Sequence, residues 1–153
     1  MRCNKLLLYC FYIFFSLHSS MHIFVYGTLK RAYKDLNTFT SVFHSNTEWV
    51  CHAVVKGDMY LKDWYPALRL GGSNLVFGEI YRINSPVLLE TIDQYEDAIT
   101  QDEYAIKLKH LVPITSDYVR KHIRIDDMEC WVYEYLGEVS PGMHIKNGVF
   151  EMR

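Results

Sequence analysis

The chain lacks an excess of either charge: 16 Lys and Arg stand against 18 Asp and Glu, for a formal net charge of −2. That balance leaves no extended basic surface, so nucleic acid is not an expected partner. Cysteine is scarce. Of four, Cys3 and Cys10 lie at the very start, and only Cys51 and Cys130 remain for the body of the chain. With no Cys-x-x-Cys spacing, neither a disulfide framework nor a zinc site is expected. The seven histidines are scattered, none in a metal-ligand pattern. The continuous apolar run from Leu6 to Phe15 falls short of the ~20 residues a comfortable transmembrane helix requires, so no stable membrane anchor is expected. Internal repeats and low-complexity segments are also missing.

What is present is ordinary for a globular protein. At 153 residues the chain is the length of one domain, half its residues are hydrophobic and 22% are charged. Twelve tyrosines and eight phenylalanines favour strands and an aromatic-lined interior over a helical bundle. The expectation is a compact, β-rich domain over residues 21–153, preceded by a distinct leader, residues 1–20. In that leader Arg2 and Lys5 precede the apolar run, and small polar residues follow, which is the layout of a signal peptide. It has no clean pair of small residues for cleavage. The rival reading is an over-extended frame with translation starting at Met21. On that reading the domain is reduced and cytoplasmic; if the leader is a signal, the domain is secreted.

His22 to Tyr26 is a β-branched and aromatic run with the composition of a buried strand, and it stops at Gly27. Leu36, Phe39, Val42 and Phe43 fall at helical spacing, so a short amphipathic helix is expected within 32–44. A strand follows from Glu48 to Val55. Residues 62–67 read as a loop because Pro66 cannot donate to a ladder, and Gly71–Asn74 as a hairpin turn. From Leu75 to Ile83 the pattern alternates, which places Glu79 on an otherwise apolar face. An edge or rim position, with the carboxylate meeting water or an arginine, is expected there.

Asn84-Ser85-Pro86 opens a helix with a side-chain cap and proline at the first helical position, its buried stripe being Leu88, Leu89, Ile92 and Tyr95. Residues 103–112 and 128–136 read as strands joined by a connection longer than a tight hairpin, with 120–127 solvated. Trp131, Tyr133 and Tyr135 share a face by period two. The tail 144–150 reads as a short closing strand.

Two stretches carry chemistry. A glycine after a buried strand lets successive N–H groups form a small anion-binding concavity, here at Gly27-Thr28-Leu29 with Lys30 and Arg31 beyond. Asp93, Glu96 and Asp97 bring three acids to a helix end. On pattern alone these are a strand ending in a turn and a solvated helix end.

Together they resemble something more specific. Phe24-Val25-Tyr26-Gly27-Thr28-Leu29-Lys30 is similar to the Tyr-Gly-(Ser/Thr)-Leu signature of the γ-glutamylcyclotransferase-like family, which includes the γ-glutamylamine cyclotransferases and AIG2-like proteins. Ile92 to Asp97 resembles that family's Leu-Asp-x-x-Glu-Gly segment, and Gly78-Glu79-Ile80-Tyr81 its Gly-Glu-(aliphatic)-Tyr strand. The resemblance spans residues 21–136. It implies an α+β fold: a small, closed or nearly closed mixed β-barrel with flanking helices. It implies substrate binding by Tyr26, Gly27, Thr28 and Leu29, a catalytic acid/base at Glu96 and a site tyrosine at Tyr104. Asp97 replaces the family's usual glycine, which alters the turn or crowds the site with a second negative charge.

The implied reaction closes a γ-glutamyl group to 5-oxoproline and releases an amine or amino acid, with no metal or cofactor required. The expected partner is a small γ-glutamyl compound, and a homodimer is allowed. Two other readings stand beside this one: a non-catalytic binder of small metabolites with the same fold, and, resting on residues 1–20 alone, a secreted or membrane-associated interaction protein.

Overall fold

A computed structural model describes residues 20–152; the expected leader therefore falls, but for Ser20, outside the described residues. Six strands form one mixed sheet: β1 (Met21–Val25), β2 (Thr47–Lys62), β3 (Tyr65–Ile83), β4 (Ala98–Thr100), β5 (Tyr118–Ile125) and β6 (Met128–Tyr135). The helices are α1 (Thr38–Ser45), α2 (Pro86–Tyr95) and α3 (Gln101–Lys109), with short 3-10 turns at Arg31–Tyr33 and Pro141–Met143. The strand order is β2-β3-β1-β6-β5-β4. Pairing is antiparallel except for β1 with β6 and β4 with β5.

The α+β class is as expected, but the barrel is not closed. No ladder joins β2 to β4, so both remain edges. The sheet instead curls until β2 approaches β5. Among the described residues, no helix is long and apolar enough to cross a membrane.

β1 is central, and its last three residues, Ile23 to Val25, are apolar and buried on both faces. Ile23 and Val25 point into one core with Phe43, Leu88, Leu89 and Ile92 from the helices. Phe24 and Tyr26 point into the other, with Met59, Leu68, Ile80, Val132 and Phe150. Gly78 is required where β3 crosses β1: a Cβ there would sit 2.4 Å from the Val25 carbonyl oxygen and 2.6 Å from the Phe24 ring. α2 begins as its sequence indicates, with Ser85 accepting from the Val87 N–H at 3.3 Å and Pro86 following.

Several local expectations are corrected. Residues 62–67 are not a loop: β2 turns at Asp63-Trp64, and Pro66 lies in the ladder opposite Leu61. Gly71–Asn74 is a bulge within β3, because the partner of Lys56 is Leu75 while that of Gly57 is Leu70. Residues 101–109 are helical rather than a strand. Thr100 and Glu103 form a reciprocal capping box, acids lie in the first turn and lysines in the last. Ile106 and Leu108 alternate in sequence but remain exposed, so no sheet face reads that alternation.

Residues 120–125 are paired in β5, and β5 and β6 meet in a tight hairpin through Asp126-Asp127. Lys121 is paired with Glu134 across the hairpin, and the His122 ring lies 3.3 Å from the Glu129 carboxylate. The tail forms no strand, only a bridge of His144 to Tyr60. It is latched nonetheless. Phe77 N–H donates to Gly148 O at 2.9 Å, Lys30 Nζ donates to Phe150 O at 2.7 Å, and the Phe150 side chain is fully buried.

Candidate active site

A cavity of about 310 Å³ opens at the end of β1. Its floor and one wall are Phe24 to Leu29; Trp64, Tyr65 and Pro66 from the β2–β3 turn form a second wall. Tyr95, Glu96 and Asp97 enter from the end of α2, and Asp117, Tyr118 and Tyr133 complete the lining. Tyr26, Gly27, Thr28, Leu29 and Glu96, separated by about seventy residues of sequence, thus share one space. Tyr104 does not join them. It sits half-buried on α3, outside the lining, because the capping box places it on a helix whose residues face away from the core.

Gly27 is needed for close approach rather than for an unusual φ, since it is not among the glycines with positive φ. A Cβ at this position would lie 2.4 Å from Pro66 Cγ, so the loop and the β2–β3 turn touch backbone to ring. After Gly27 the chain turns, with Lys30 N–H donating to Gly27 O at 3.1 Å. The N–H groups of Thr28 and Leu29 have no acceptor among the described residues. Both residues are buried, so two unpaired donors are held at the cavity wall.

Glu96 caps the C-terminal end of α2, where its own N–H still donates to Ile92 O at 2.9 Å. No hydrogen bond or ion pair among the described residues reaches its carboxyl. Burial alone pushes its pKa from the ordinary 4.5 up to about 7. Three tyrosine hydroxyls are raised, chiefly by burial, and the Glu96 charge adds to each: Tyr26, Tyr118 and Tyr133.

All three hydroxyls are already committed as donors. Tyr26 donates to Tyr133 O at 2.7 Å, Tyr118 to Pro66 O at 2.9 Å, and Tyr133 to Asp93 Oδ1 at 2.6 Å. Tyr26 is therefore a wall and a brace, its hydroxyl spent inside the protein. Asp93 is further paired with Arg120, 2.8 Å away, whose guanidinium lies over the Trp131 ring. This network pins the end of α2 to β5 and β6 one turn before Glu96.

Asp97 takes the left-handed conformation, φ 49°, which glycine enters freely and aspartate tolerates better than most residues. Its carbonyl accepts from Asp117 N–H at 3.0 Å, and its carboxylate lies 3.3 Å from the same donor. The turn is thus kept, and the second negative charge stands on the lining beside Asp117 with a backbone partner of its own.

Sequence reasoning picked out none of Trp64, Tyr65, Asp117, Tyr118 or Tyr133 as lining residues. Only Tyr133 carried a signal, the shared face with Tyr135. The others reach the cavity through long-range packing.

A family model described as gamma-glutamyl cyclotransferase, AIG2-like, matches residues 23–151. The chain belongs to the AIG2-like γ-glutamyl cyclotransferase family. It is 32% identical over 84 residues to gamma-glutamylaminecyclotransferase A of Danio rerio, a match covering 50% of this chain and 51% of that protein. The chain thus matches about half the length of that curated relative.

Solved structures give the same fold. An AIG2-like protein from Mus musculus superposes with a TM-score of 0.61 at 22% identity, covering 88% of this chain and 90% of that one. The solution structure of protein ytfP from Escherichia coli gives 0.57 at 25% identity, covering 85% and 96%. Within this γ-glutamyl cyclotransferase-like fold, the loop after β1 and the end of α2 frame the cavity.

Proposed function

We propose that the protein is a γ-glutamylamine cyclotransferase: it closes a γ-glutamyl group to 5-oxoproline and releases the attached amine. The observation that carries this reading is Glu96, an unpaired carboxyl on the cavity wall with a pKa of about 7. Near neutrality such a group can both accept and return a proton.

In the proposed reaction, Glu96 takes a proton from the substrate α-ammonium. The freed amine attacks the side-chain carbonyl carbon, forming the new C–N bond of the lactam. The bond to the leaving nitrogen then breaks as Glu96 returns the proton to it. The second proton that the attacking nitrogen sheds on becoming the lactam N–H passes to the same leaving nitrogen, so the amine departs as its ammonium and no water is consumed. The substrate must be curled for this attack, an orientation cost that the cavity walls lower. The unpaired N–H groups of Thr28 and Leu29 are the donors suited to the substrate carboxylate or to the developing oxyanion.

The amine is favoured as leaving group by charge. Glu96, Asp97 and Asp117 line the cavity, and among the described residues no lysine, arginine or histidine does. A leaving portion with its own carboxylate would meet Asp97 and Asp117, whereas a neutral or cationic amine would not be repelled. The Danio rerio relative, named for action on γ-glutamylamines, points the same way.

The test is release of 5-oxoproline from γ-glutamyl-ε-lysine, a γ-glutamyl monoamine, γ-glutamyl dipeptides and glutathione, with Glu96→Gln in parallel. Turnover of the amines by the native protein and none by the variant supports the reading. Ligand binding without product overturns it in favour of a binding protein, and product from Glu96→Gln removes Glu96 from its role.

A further inference from the structure

Glu79 is a buried acid that the proposed reaction leaves unused. It lies on β3 opposite Val25, the last residue of β1, and is 8% exposed, in place of the rim position its sequence suggests. It is absent from the cavity lining. One oxygen, Oε2, accepts two hydrogen bonds: from the backbone N–H of Arg31 at 2.7 Å and from the Tyr81 hydroxyl at 2.8 Å. Tyr81 is in turn wedged edge-on against Phe43 and His44. The Glu79 charge also reaches Lys30 and His44, both held below their ordinary pKa by burial, and acts against that lowering in each.

Burying a carboxylate in a sheet is unfavourable, and an apolar side chain would pack there at less cost. What the carboxylate does is fix Arg31, two residues beyond Leu29. The loop is then tied at both ends, by β1 before Tyr26 and by Glu79 at Arg31. Between these ties, Lys30 is anchored through its amine to Phe150 O at 2.7 Å. Donors that bind a substrate well must be held in place before it arrives. We propose that Glu79 is a positioning residue of the binding loop. Its carboxylate grips the Arg31 N–H and so aims the unpaired N–H groups of Thr28 and Leu29 into the cavity. The kinetic consequence rests on the lactam-forming reading above; the structural one does not.

The experiment compares Glu79→Ala, Glu79→Asp and Glu79→Gln with the native protein by amide hydrogen exchange and by kinetics on γ-glutamyl-ε-lysine. In Glu79→Ala, exchange at Arg31, whose N–H the carboxylate accepts, is expected to accelerate at least about tenfold, while Ile80 and Val119 in the strands keep their protection. KM is expected to rise roughly tenfold with kcat within about threefold, because the loss falls on binding. The inflection of kcat/KM near pH 7 stays in place.

Glu79→Gln keeps an oxygen where both donors point, and should restore KM and the Arg31 protection. Glu79→Asp keeps the charge but withdraws it by one methylene, and should behave as Glu79→Ala does; it carries the test if the alanine variant does not fold. Unchanged exchange at Arg31 overturns the proposal. So does a collapse of kcat with KM unchanged, which would put Glu79 in the chemistry, and so does a glutamine variant no better than alanine. If the native protein releases no 5-oxoproline, the functional reading falls, and Arg31 exchange alone still decides what Glu79 does.

Discussion

A carboxyl that titrates near 7 inside a folded protein leaves a signature in stability as well as in rate. The folded state of this chain holds the Glu96 proton up to about pH 7, whereas the unfolded chain releases it near 4.5. Between those values the folded form binds more protons, so this group's contribution falls as pH rises, and above pH 7 the charged form is buried at a cost of up to about 3 kcal/mol. Glu96→Gln should therefore stabilise the protein by up to about 3 kcal/mol at pH 8 and by almost nothing at pH 4, read from urea unfolding at both. Rate follows the opposite sense. If Glu96 is the base, kcat/KM of the native protein climbs with pH and levels off above about 7, since the free enzyme must carry the ionised form.

Asp97 offers a second residue-level outcome. Glycine at this left-handed position relieves backbone strain and removes a carboxylate from the lining. Asp97→Gly should therefore leave stability within about 1 kcal/mol and, on the proposed reading, narrow a preference for amines over γ-glutamyl dipeptides, measured as the ratio of their kcat/KM.

Between elements, the contact to probe is where the loop after β1 meets the β2–β3 turn. Gly27→Ala drives a Cβ into Pro66 Cγ at 2.4 Å and should cost about 1–3 kcal/mol by overpacking. Pro66→Ala removes the atoms it strikes. The double variant should recover much of the loss, so that a double-mutant cycle reports coupling of about 1 kcal/mol or more. Additive effects would mean that the loop moves aside freely.

This contact also marks where sequence reading stops. The start of α2 was legible because Ser85 and Pro86 are local signals acting on their neighbours, and β1 because burial on both faces makes Ile23, Phe24 and Val25 an apolar run. The helix at 101–109 was misread as part of a strand over 103–112 although its signal, Thr100 with Glu103, was present. Gly27, Glu96 and the Tyr-Gly-Thr-Leu turn were found through their similarity to a family, and the cavity does gather them. The contacts of Pro66 with Gly27 and Tyr118, and the Asp93–Tyr133–Arg120 network, were invisible. Each depends on residues well separated along the sequence meeting in space, Tyr118 with Pro66, Tyr133 with Asp93 and Arg120 with Asp93.

At the scale of the whole molecule, the second core depends on its tail. Phe150 is fully buried among residues of β1, β2, β3 and β6. Phe150→Ala should cost about 3–5 kcal/mol, and its thermal midpoint should fall accordingly in a calorimetric scan. Phe150→Leu, which keeps most of the apolar volume, should lose far less.

The bond from Lys30 to Phe150 spans 120 positions of the chain, and β1, made early, sits between β3 and the late strand β6. On a translating ribosome the loop after β1 emerges long before either of its late partners. A nascent chain holding Tyr26 to Leu29 and Glu96 has these lining residues, but neither β6 to close the cavity wall nor Phe150 to hold Lys30. The cavity lining is therefore complete only once Tyr133 has left the exit tunnel, and the Lys30 anchor only once Phe150 has followed it.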